Sequence, residues 1–114
     1  MNKVLRIERN NIEITRGDSV RFMIRLKNRE LAEGTQAVFT VKGTPWEPAR
    51  PEIEKVIDVV DNQVSVILEP YETDLTPGHY VWDLRLKEPA ADGCTEVLTP
   101  MEYAAFKVLE AIGE

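Results

Sequence analysis

Residues 78–87 constrain the fold of this chain more than any other stretch. Tyr80, Trp82, Leu84 and Leu86 fall on one face, and His79, Val81, Asp83, Arg85 and Lys87 on the other. An alternation with period two marks a strand with one face buried; on a helix the same residues would scatter over every side. Pro77-Gly78 sets a turn just before it. Such a strand must bury its aromatic and leucine face against a second layer, so the rest of the chain has to supply one.

The remaining residues supply more strands of the same kind. Leu5 and Ile7, then Ile12 and Ile14, form two short alternating runs broken at Asn10-Asn11. They read as an edge strand with a kink or bulge. In residues 19–26, Val20, Phe22, Ile24 and Leu26 face inward while Arg21, Met23 and Arg25 face out, giving a central strand. Ala37, Phe39 and Val41 alternate with Val38, Thr40 and Lys42. Residues 53–60 direct Ile53, Ile57 and Val59 inward, and 63–69 return with Val64, Val66 and Leu68 inward. Asp61-Asn62 between them suits a tight hairpin, because both residue types tolerate the left-handed conformation. Residues 70–77 read as one helical turn opened by Pro70, with Glu72 and Asp74 near its start. Residues 88–93 read as a loop. A hairpin returns through Thr95, Val97 and Thr99 to Pro100, and residues 103–109 make a last strand with Phe106 and Val108 inward. Eight or nine short strands with no substantial helix predict one all-antiparallel β-sandwich over residues 1–114, the last five residues being a frayed tail.

Totals exclude several functions. With 114 residues the chain can bury a core without disulfides or metals. A net charge of −6 argues against nucleic acid as the main partner, since phosphate contacts need a basic footprint. One cysteine, Cys94, and one histidine, His79, cannot form an internal disulfide or a structural zinc site. No apolar run approaches the roughly 20 residues of a membrane helix. The start, 1–6, has no long apolar run, so the expectation is a soluble chain without a signal peptide, made in the cytoplasm.

Catalytic constellations are not evident. His79 sits on the outward face of its strand with no nucleophile or orienting acid in a recognisable motif. Glu69, Glu72, Asp74 and Asp83 fall close together in the chain, but with 20 acidic residues in 114 such neighbours arise by chance. No phosphate or calcium loop motif is present. The expectation is a non-enzymatic protein without cofactor or metal. Arg16-Gly17-Asp18 spells the integrin-binding triplet, yet a Gly-Asp turn between two strands accounts for it without a partner.

Residues 42–51 form the longest irregular stretch, with Pro45, Pro48 and Pro51 barring helix and central strand. Trp46 lies among them and has two readings: a plug at the end of the sandwich, which is favoured, or a contact for a partner. Trp46, Glu47 and Arg50 are the candidate binding surface, together with the first strand, residues 5–14.

Leu75, then Gly78, then Tyr80 at a strand start resembles the corner before strand F of immunoglobulin-like sandwiches, where the tyrosine hydroxyl bonds back to the corner backbone. Two longer segments extend the likeness. Ile12-Glu13-Ile14-Thr15-Arg16-Gly17-Asp18-Ser19-Val20-Arg21-Phe22-Met23-Ile24 is similar to the opening strand, turn and strand of the immunoglobulin-like N-terminal domain of phage baseplate upper proteins and related tail-associated proteins. Glu72-Thr73-Asp74-Leu75-Thr76-Pro77-Gly78-His79-Tyr80-Val81-Trp82-Asp83-Leu84 resembles that family's corner segment, and Thr95 with residues 103–108 its end. The resemblance implies an immunoglobulin-like fold and a structural role in a phage or prophage tail or baseplate. The partners implied are other phage structural proteins, with a homo-oligomer as a further option and virion association as the destination. It transfers no catalytic residue. The competing expectation is a carbohydrate- or cell-surface-binding module using Trp46, Tyr71 and nearby acids.

Overall fold

The computed structural model describes residues 6–8, 11–26, 30–44, 50–90, 93, 95–98 and 103–111. Among these residues the chain is all-β, with nine strands: β1 (Arg6–Glu8), β2 (Asn11–Thr15), β3 (Val20–Arg25), β4 (Gln36–Lys42), β5 (Ile53–Asp58), β6 (Gln63–Leu68), β7 (Gly78–Pro89), β8 (Thr95–Leu98) and β9 (Ala104–Leu109). Seven form one sheet in the order β1-β2-β9-β7-β4-β5, with β8 also on β7; β3 and β6 form a second sheet. The two sheets face each other as a β-sandwich over one core.

The long strand β7 organises the larger sheet. Its first half pairs with β9 (Tyr80 opposite Phe106) and its second half with β8 (Leu86 opposite Leu98), while β4 runs along its other side. The inward faces follow the alternation in the sequence: Trp82, Leu84 and Leu86 of β7, Ala37, Phe39 and Val41 of β4, and Phe106 and Val108 of β9 are buried. Val20, Phe22, Val64, Val66 and Leu68 of the smaller sheet close the core from above. Phe39 sits at the middle, its ring centroid 5.9 Å from Phe22, 5.3 Å from Trp82 and 6.4 Å from Phe106. These separations fall in the range favoured by aromatic pairs, and the Phe22 contact joins the two sheets edge to face.

Asp61 and Asn62 have φ of 54° and 57°, and Val60 and Gln63 exchange both backbone hydrogen bonds. This is the two-residue turn expected from the sequence. Yet it does not join paired strands. β5 pairs with β4 in the larger sheet, β6 pairs with β3 in the smaller, and only the Val60–Gln63 bridge links the arms. The turn therefore carries the chain from one layer to the other. Asn62 also accepts a hydrogen bond from Leu31 N at 3.0 Å and donates to Leu26 O at 3.3 Å, tying the 30s segment to the turn.

Several expectations are corrected. The first two runs are not one kinked edge strand. β1 folds back antiparallel on β2, with Ile7 opposite Ile12, and β2 is flanked on its other side by β9. The β2–β9 pairing is parallel, so the sandwich is not wholly antiparallel. No tight turn links these two strands, so nothing local fixes their relative direction. Burial of Ile12 and Ile14 in step with Phe106 and Val108 sets it instead. Because β2 is taken up by the larger sheet, β3 is not central. Among the described residues it pairs only with β6. Finally, β7 extends to Pro89, so 88–89 are strand rather than loop, and Glu88 is buried with Oε2 accepting a hydrogen bond from Ala32 N at 2.9 Å.

Candidate interaction surfaces

The turn at residues 15–18 is built by its backbone. Asp18 N donates to Thr15 O at 3.1 Å, and Gly17 has φ of 82°, the positive value a type II turn demands at its third residue. The corner before β7 then clamps this turn. Gly17 N donates to Thr73 O at 3.2 Å, the buried Thr73 hydroxyl donates to Asp18 O at 2.8 Å, and Arg16 Nε donates to Asp74 Oδ1 at 2.8 Å. The hydrogen bond and charge of Asp74 raise the Arg16 guanidinium pKa further above its already high value. All three residues of the integrin-like triplet are thus engaged within the fold, Arg16 through its side chain and Gly17 and Asp18 through their backbones.

The Tyr80 hydroxyl donates to Thr76 O at 2.6 Å, Leu75 packs on the core margin, and Gly78 has φ of 154°, which side-chain-bearing residues rarely adopt. The preceding segment makes one hydrogen-bonded turn, Glu72 N and Thr73 N both donating to Glu69 O. Glu72 Oε1 accepts from Glu69 N at 2.8 Å and from Lys55 Nζ at 3.1 Å, so the turn is pinned to the inner face of β5.

Burial raises the Tyr80 phenol above its ordinary pKa; Glu52 adds to the rise and Arg16 opposes it. A folded pKa above the unfolded one means the contribution is complete below the unfolded value of about 10 and is lost as pH rises through the folded value. Tyr80→Phe is therefore expected to cost about 0.5–1.5 kcal/mol at neutral pH, the net value of one hydrogen bond. The difference from wild type should shrink under alkaline conditions. Urea unfolding at several pH values measures both; a deficit independent of pH would reject this role for the hydroxyl.

Of the candidate binding residues, Trp46 and Glu47 lie outside the described residues, as does Cys94. Arg50 is exposed in the β4–β5 connection. His79 is exposed on the outer face of β7, opposite Lys107. Asp74 and Glu72 are used in ion pairs with Arg16 and Lys55. Among the described residues no group of three or more His, Cys, Asp or Glu side chains is placed to hold a metal ion, and no helix is long and apolar enough to cross a membrane.

The remaining surface is defined by strand edges. The proposed first-strand surface is altered, since β2 is paired on both sides and its Ile12 and Ile14 are buried; β1 occupies that edge. The other end of the larger sheet is β5, where Glu54, Val56 and Asp58 face solvent. In the smaller sheet the outer face of β3 carries exposed Arg21, Met23 and Arg25. No such open edges could be assigned from periodicity alone. Family models, curated proteins and solved structures gave no match to this chain.

Proposed function

We propose that this chain is a non-enzymatic structural module of a phage or prophage tail or baseplate, an immunoglobulin-like sandwich that works by docking to other proteins. The observation that carries the reading is the meeting of its two family-like segments. The Arg16-Gly17-Asp18 turn and the Thr73-Asp74 corner lie far apart in the chain and are joined by three hydrogen bonds, two of them within 2.8 Å. Segments that resemble one family separately form a single structural unit. The immunoglobulin-like assignment is supported by the bonded corner tyrosine and by strands β3 and β6 facing a sheet that contains β9, β7 and β4.

The test is the composition of particles. Tail or baseplate particles purified from the strain that encodes the chain are expected to contain it at a fixed ratio to a structural protein. Recovery of the chain only outside the particles would contradict the reading. A second reading, a carbohydrate-binding module, draws on one observation: Tyr71 is 78% exposed at the tip of the corner turn. Glycan-array binding abolished by Tyr71→Ala would favour it over docking.

A further inference from the structure

We propose that this chain joins to copies of itself head to tail, the free edge of β3 in one copy pairing antiparallel with the free edge of β5 in the next. The backbone phase of each edge follows from a neighbouring hydrogen bond. Leu26 N donates to Asn62 O, continuing the register in which Arg25 lies opposite Gln63. Positions 20, 22, 24 and 26 therefore bond to β6, and the backbone N–H and C=O groups of Arg21, Met23 and Arg25 point away from it. On β5, Val59 N donates to Thr35 O, continuing the register of Asp58 opposite Gln36. By the same alternation Glu54, Val56 and Asp58 direct their backbone groups away from β4. Among the described residues no strand meets either edge.

Each edge thus presents three residues in one phase, and their chemistry is complementary. β3 offers arginine, methionine, arginine; β5 offers glutamate, valine, aspartate. Antiparallel pairing sets Arg21 against Asp58, Met23 against Val56 and Arg25 against Glu54. Every pair exchanges backbone hydrogen bonds, and the side chains lie together on the solvent face. Met23 is 49% and Val56 61% exposed in the single copy, so pairing would cover both. Of the four charged groups, Asp58 already accepts a weak hydrogen bond from Gln36 at 3.3 Å and retains its second oxygen.

Charged residues on sheet edges ordinarily guard against pairing. Here they guard against the wrong pairing. Two β3 edges centred on Met23 would oppose Arg21 to Arg25, and two β5 edges centred on Val56 would oppose Glu54 to Asp58, both unfavourable. Only the unlike combination satisfies every charge. Because the two surfaces differ, the contact repeats from copy to copy and generates a ring or a filament. The inference does not rest on the tail-module reading: particles that lack the chain would remove that reading and leave self-association unaffected.

Sedimentation velocity of the full chain over a wide concentration range tests the proposal. The wild type is expected to exceed its 13.0 kDa monomer mass as concentration rises and to return toward it in high salt. Arg21→Glu with Arg25→Glu, or Glu54→Arg with Asp58→Arg, should each raise the dissociation constant about tenfold or more. Combining all four substitutions reverses both edges and should restore association. Val56→Pro removes an N–H that bonds to nothing among the described residues of the single copy, so it should block pairing while leaving the circular dichroism spectrum unchanged. A wild type that stays monomeric at every concentration, or variants that associate as wild type does, would overturn the proposal.

Discussion

Phe39→Ala is expected to lower the unfolding free energy by about 3–5 kcal/mol, the cost of emptying a fully packed aromatic site. Phe39 is fully buried, and its ring touches Phe22 of the smaller sheet together with Trp82 and Phe106 of its own. The cavity would open between three rings held by three different strands, none of which can move inward without breaking its ladder. Domains of this size have about 5–15 kcal/mol of total stability, so the loss is a large share of it. Urea unfolding followed by tryptophan fluorescence measures the effect, because Trp82 lies against the altered site. A loss below about 1 kcal/mol would show that the core collapses freely around position 39, contrary to the packing described.

Thr73→Val should destabilise by about 1–3 kcal/mol, despite a nearly unchanged shape. The hydroxyl is buried and donates to Asp18 O at 2.8 Å and, more weakly, to Pro70 O at 3.3 Å. Removing it leaves the Asp18 carbonyl without this donor, and burying a polar group without a partner is the larger part of the cost. Arg16→Ala, by contrast, should leave stability nearly unchanged, because its pair with Asp74 is exposed and screened. Equal effects from the two substitutions would mean that the charge pair, rather than the buried hydroxyl, holds the turn to the corner. The same urea titration separates these outcomes.

The sequence disclosed local structure well and layer assignment poorly, for physical reasons. Tyr80, Trp82, Leu84 and Leu86 declare their buried face because side chains alternate along any strand. Asp61-Asn62 declares its turn because few residues accept positive φ. Neither signal says which sheet a strand joins. The arms of the Asp61-Asn62 turn look like a hairpin, but β5 and β6 lie in different layers since burial of Ile53 and of Val64 and Val66 is satisfied on opposite sides of the same core. The parallel partnership of β2 and β9 is equally non-local. Lys55 shares the inner phase of Ile53 and Ile57, and only the position of Glu72 explains how an ammonium group is accommodated there. Glu88 continues the buried face of β7 for a similar reason, its carboxylate meeting Ala32 N.

The candidate surfaces were legible to different degrees. The corner residues Leu75, Gly78 and Tyr80 could be named because their chemistry is local to one turn. The edge residues could not, since an edge is defined by what fails to pair with it. Arg21, Met23 and Arg25 read in the sequence only as an outward face; they become an edge because β3, among the described residues, pairs with β6 alone.

Assembly through strand edges is tested most directly by amide hydrogen exchange, resolved residue by residue, at low and high protein concentration. The amides of Arg21, Met23, Arg25, Glu54, Val56 and Asp58 meet no strand among the described residues of the single copy and would be bonded in the assembly. Their protection is predicted to rise together with concentration, while Ser65 and Ile67 on the free edge of β6 stay unchanged. Exchange at those six amides that is fast and independent of concentration would contradict assembly by these edges.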